Sequence, residues 1–87
     1  MYAIVYTKTA QKDIPKLKAA HLGDKAKKLV DVIRENPYQN PPPYEKLAGE
    51  LNGLYSRRIN GQHRLVYEIF EPEQIIKIVS LWSHSER

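Results

Sequence analysis

The chain has 87 residues, enough for one small domain (residues 1–87) that buries roughly 60–65% of the surface its unfolded form exposes. It contains no cysteine, which excludes disulfides and thiolate metal sites and leaves the core to apolar packing. A formal net charge of +4 favours anionic partners such as nucleic acid, acidic polypeptide or anionic membrane without choosing among them. No targeting signal is visible and no apolar run approaches the ~18 residues of a membrane span, so the expectation is a cytoplasmic protein with no membrane contact.

Tyr2 to Thr7 is β-branched and aromatic and predicts a first strand, with Thr7 or Thr9 in place to cap the helix that follows. From Lys8 to Ala20, Ala10, Ile14, Leu17 and Ala20 recur near the helical period with lysines opposite, and Pro15 predicts either a kink or the first turn. Gly23 breaks the run. Ala26, Leu29, Val30 and Ile33 form a second helical stripe with Asp24 as its expected cap, and Asn36-Pro37 stops it. Asn40 and the three prolines after it exclude regular helix or central strand, so this stretch is an exposed connection that delivers Glu45 close to a sheet edge.

Leu54 to Ile69 reads as a β-hairpin whose Asn60-Gly61 pair supplies the positive-φ positions of a tight turn. A second turn at Glu71-Pro72-Glu73-Gln74 leads to Ile75–Trp82, an apolar run suited to a strand buried on both faces, which His84 closes. The order β-α-α-β-β-β predicts an α+β fold, two N-terminal helices packed on one face of a mostly antiparallel four-stranded sheet. Arg57, Arg58 and Arg64 fall inside strands, so their planar donor forks project from the sheet and suit phosphate. Alternation turns Arg57 away from Arg58, leaving open whether it is solvated or contacts substrate. His63 points to the opposite face from Arg64, where a structural hydrogen bond is expected, and His21 falls in an interhelix turn at the surface. Tyr2, Tyr6, Tyr67 and Phe70 are expected in the core. No histidine spacing suits a zinc site, and no metal or cofactor is expected.

Gly53-Leu54-Tyr55-Ser56-Arg57-Arg58-Ile59, then His63-Arg64-Leu65-Val66-Tyr67, then Ser83-His84 resemble the Txe/YoeB family of RelE-superfamily toxins. The opening strand, the two-helix insert and the Pro-rich approach to Glu45-Lys46-Leu47 follow the order of that family across essentially the whole chain. The resemblance implies a RelE-like fold and the toxin half of a type II toxin–antitoxin pair. It further implies a ribosome-dependent endoribonuclease that cuts mRNA in the A site of the 70S ribosome, neutralised by a cognate acidic antitoxin polypeptide, with homodimerisation left open. Carried over position by position, the general base falls on Glu45, the phosphate-binding arginines on Arg58 and Arg64, and the general acid on His84. Metal-free RNA cleavage needs such a set: a base for the 2′-hydroxyl proton, cations for the phosphorane charge and an acid for the departing 5′-oxygen. Where the family commonly carries tyrosine after the terminal histidine, Ser85 stands here, with Tyr55 or Trp82 as candidates to supply the aromatic surface for a base. The rival reading is a non-catalytic basic module that binds RNA or the ribosome and blocks translation by occupancy.

Overall fold

A computed structural model describes residues 1–49 and 53–84, with side chains through Trp82. The chain opens with strand β1 (Ala3–Tyr6), followed by helices α1 (Lys8–Ala19) and α2 (Gly23–Glu35), then strands β2 (Glu45–Lys46), β3 (Leu54–Arg58), β4 (His63–Phe70) and β5 (Ile75–His84). Thr7 caps α1: its backbone is extended and its Oγ1 accepts the Ala10 N–H at 3.0 Å, which satisfies one orphan donor of the first turn. Pro15 lies inside α1 without ending it. It sits on the solvent face with Gln11, whose carbonyl loses its helical donor where water can replace it. Asp24 is not the cap of α2. Leu22 holds that position without a side-chain bond, and Asp24 lies in the first turn, where its charge complements the positive end of the helix dipole. His21 takes a φ of 60° in the interhelix turn and is exposed.

The sheet has five strands in the order β1-β5-β4-β3-β2, with β1 parallel to β5 and the other pairs antiparallel. The additional strand is β2, which pairs Glu45 with Ser56 and Lys46 with Tyr55. It begins only where Pro41-Pro42-Pro43 has ended, because prolines have no N–H to give a ladder. Leu47 extends the contact by donating its N–H to the Leu54 carbonyl at 2.9 Å.

Ala10 and Leu17 of α1 and Ala26, Val30 and Ile33 of α2 pack with Leu65, Tyr67, Ile76, Ile78 and Leu81 of the sheet into one core. With helices on a single face, β5 is buried on one side only: Ile76 and Ile78 are inside, whereas Lys77 and Val79 are half-exposed. Both-face burial was the wrong expectation, because an apolar strand composition does not report a missing second layer. Tyr67 is a core residue as expected, but Tyr6 stands exposed at the sheet edge.

The hairpin turn also differs from expectation. Residues 59–62 form a four-residue connection in which neither Asn60 nor Gly61 takes positive φ. Asn60 Oδ1 accepts the N–H groups of Gln62 (2.9 Å) and His63 (2.7 Å), and this side-chain mimic of a backbone turn replaces the left-handed geometry. Beyond Tyr6, where β1 ends, α1 serves the edge of β5: Thr7 Oγ1 donates to the Val79 carbonyl at 2.7 Å and the buried Asp13 accepts the Leu81 N–H at 3.0 Å.

Candidate active site

Strand pairing decides which side chains share a face. Glu45 lies across from Ser56, and two rungs away Arg58 lies across from Arg64. Ser56 and Arg58 are two apart on β3, so all four project from the face the helices leave open. They line a groove of about 170 Å³ together with Pro42, Pro43 and Tyr44. At its centre one terminal guanidinium nitrogen of Arg64 donates to Glu45 Oε1 at 3.0 Å and to Ser56 Oγ at 2.9 Å. The side chain of Glu45 is 64% exposed and that of Arg64 only 15%. Such a pair contributes at most about 1 kcal/mol to stability; its consequence is alignment. Arg64 keeps further N–H donors without a protein partner among the described residues, and Arg58 gives one nitrogen to the Gly61 carbonyl at 3.2 Å. The groove therefore offers a carboxylate beside two forks that suit a phosphate.

The sequence-expected residues divide accordingly. Glu45, Arg58 and Arg64 are brought together. The backbone of His84 pairs with His63, the rung next to Ser83 opposite Arg64; the His84 side chain and Ser85 lie outside the described residues. Arg57 is neither solvated nor in the groove. It is 1% exposed because β3 turns it toward the helix side, where its nitrogens donate to the carbonyls of Pro37, Gln39 and Pro42 and to the Tyr67 hydroxyl. Tyr55 shares that side: it stacks on Tyr67 with ring centroids 5.6 Å apart and meets Tyr44 and Tyr38 at 5.8 and 6.2 Å, so it does not reach the groove. Trp82 stacks on His63 at 3.9 Å. Burial pushes the Tyr67 hydroxyl up from its ordinary pKa although the Arg57 charge pulls the other way, which keeps the hydroxyl protonated and donating to the Pro37 carbonyl at 3.1 Å.

Two groove residues were missed by reasoning from sequence. Ser56 holds Arg64, and the signal for it was alternation, since it stands two before Arg58. Tyr44, not Tyr55 or Trp82, is the aromatic residue in the groove wall, and its position one residue before Glu45 is the available clue.

The model of the family described as ParE toxin of type II toxin–antitoxin systems, parDE, matches residues 4–87. The chain belongs to this toxin family. Within it the similarity runs to the YoeB toxins, in keeping with the resemblance carried by the strand motifs. A stretch of 46 residues, 53% of this chain, is 41% identical to toxin YoeB of Mycobacterium bovis and spans about half of that relative, 54% of its length. Among solved structures, a YoeB/ParE toxin from Agrobacterium tumefaciens matches 95% of this chain and 99% of its own with a TM-score of 0.86 at 25% identity. The toxin in the heterotetrameric YoeB–YefM complex of Staphylococcus aureus matches 98% and 99% with a TM-score of 0.80 at 32% identity.

Proposed function

We propose that this family member is a ribosome-dependent endoribonuclease, the toxin of a type II pair, which cleaves mRNA in the ribosomal A site by acid–base transphosphorylation. The observation that carries the reading is the Glu45–Arg64–Ser56 constellation beside Arg58 on the open sheet face. Glu45 removes the proton of a ribose 2′-hydroxyl; the 2′-oxygen attacks the adjacent phosphorus and the bond to the 5′-oxygen breaks, leaving a 2′,3′-cyclic phosphate. Arg64 and Arg58 meet the charge that grows on the phosphorane oxygens. His84, at the end of β5, returns a proton to the departing 5′-oxygen, a task suited to a group that titrates near neutrality.

The partners in this reading are mRNA, the 70S ribosome and an acidic antitoxin that covers the groove, by analogy with the Staphylococcus aureus toxin found in complex with YefM. The ribosome places the toxin in the cytoplasm; no helix among the described residues is long and apolar enough to cross a membrane. The test is primer extension on a translated mRNA with and without 70S ribosomes. Cuts are expected at A-site codons only when ribosomes are present, and Glu45→Gln, Arg64→Ala and His84→Ala each lower the rate by on the order of 10²–10⁴. Growth arrest that survives all three substitutions overturns catalysis in favour of occupancy.

A further inference from the structure

Placing a guanidinium in a protein interior is costly unless its donors are met. Arg57 meets them without any carboxylate among the described residues. Its Nε donates to the Tyr67 hydroxyl at 3.0 Å, one terminal nitrogen to the Pro42 carbonyl at 2.5 Å, and the other to the carbonyls of Pro37 and Gln39 at 3.0 and 2.9 Å. Its carbon Cζ lies 4.9 Å from the centre of the Tyr44 ring, within range of a cation–π contact. Three of these acceptors belong to one segment, the connector from α2 to β2. That connector carries prolines at 37, 41, 42 and 43 and has few N–H groups to make a ladder of its own; the Tyr67 hydroxyl also serves the Pro37 carbonyl, but Gln39 and Pro42 rely on Arg57 for their inward carbonyls.

The connector ends at Glu45. The Pro42 carbonyl that Arg57 holds is three residues upstream, and the Tyr44 ring that it underlies is adjacent. Strand β2 has two residues, so the sheet gives Glu45 only a short anchorage. Arg57 also neighbours Ser56, the residue facing Glu45 across the β2–β3 ladder. One strand thus presents Ser56 and Arg58 to the groove and Arg57 to the segment behind it.

We infer that Arg57 is a positioning residue: acting from the buried side of the sheet, it clamps the proline connector and thereby fixes Glu45 against Arg64. This rests on the reading of Glu45 as the general base.

The experiment is single-turnover cleavage of ribosome-bound mRNA by the full chain, by Arg57→Lys, by Glu45→Gln and by the double variant. Lysine keeps the charge but replaces the planar fork, which meets four acceptors here, with a single ammonium. Arg57→Lys is expected to lower the maximal rate by about tenfold or more while the ribosome concentration at half-saturation stays unchanged. In the Glu45→Gln background the same substitution is expected to change the residual rate by less than about twofold, because its effect passes through the carboxylate already removed. An equal loss in both backgrounds reports lost folded protein and overturns the inference, as does an undiminished Arg57→Lys. Should Arg57→Lys fail to fold, Tyr67→Phe, which removes one of the four acceptors, takes its place in the same comparison. Absence of cleavage by the unchanged chain overturns the proposed function and this inference together; cleavage by the unchanged chain with an unimpaired variant overturns this inference alone.

Discussion

The proposed reaction needs the Arg64 guanidinium in one orientation, and two acceptors on different strands fix it: Glu45 on β2 and Ser56 on β3. Glu45 is both a candidate reactant and an anchor, so its removal does not separate the two roles. Ser56 does separate them, being buried and without a part in proton transfer. Ser56→Ala removes one neutral-to-charged hydrogen bond, and single-turnover cleavage is expected to fall about tenfold, equivalent to roughly 1.4 kcal/mol. Ser56→Thr keeps the hydroxyl and is expected to recover most of that rate. An alanine variant as fast as the unchanged chain would show that Glu45 and the bound phosphate hold Arg64 by themselves.

The helix–sheet junction is held by a few polar contacts whose loss is measurable. Asp13 is 4% exposed and accepts the Leu81 N–H where β1 no longer covers the edge of β5. Asp13→Ala leaves that N–H buried without an acceptor, which costs about 1–3 kcal/mol, so the urea midpoint is expected to fall; Asp13→Asn, which keeps an acceptor, is expected to lose less. At the opposite end of the sheet the hydroxyls of Tyr2 and Tyr38 both donate to the Glu71 carboxylate, tying β1 and the connector to the β4–β5 turn. The Tyr38 hydroxyl is pushed well above its usual pKa of about 10, chiefly by its hydrogen bond to Glu71, and that of Tyr2 is raised by desolvation and by the same carboxylate. A raised folded-state value means that the stabilisation is complete below about pH 10 and is lost as pH rises above it, once the unfolded chain releases these protons and the folded chain does not. Denaturation midpoints followed through that alkaline range should decline, and the Tyr2→Phe, Tyr38→Phe double variant should decline less steeply. The helices, the hairpin and the last strand were legible in the sequence because apolar period and turn residues are local signals. Strand β2 was not, since two residues carry no period, and Arg57 and Arg58 are the same residue type. What distinguishes those two arginines is the face the helices cover, a fact of tertiary packing.

Taken over the whole molecule, the net charge of +4 is unevenly spread. Lys27 and Arg34 both face Asp31 at 3.6 Å, Lys16 faces Asp13 and Lys77 faces Glu68. Lys25, Lys28 and Arg58 have no carboxylate partner among the described residues, and they border a second groove of about 240 Å³ floored by Leu29, Val32 and Ile59. Pro42 and Arg58 line this groove and the candidate active site alike, so Arg58 joins the candidate site to Lys25 and Lys28 of α2. A phosphate chain lying there displaces counterions, and each lysine it meets adds roughly 0.7–0.9 to the slope of log affinity against log salt. The Lys25→Ala, Lys28→Ala double variant is therefore expected to bind 70S ribosomes more weakly, with a slope shallower by about 1.5, and to cleave at the unchanged rate once saturated. Filter binding at several salt concentrations, paired with saturating single-turnover cleavage, reads both quantities. A slope that does not move takes α2 out of the ribosome interface. A saturated rate that falls puts these lysines on the reacting strand, and the groove would then be part of the active site and not only its approach.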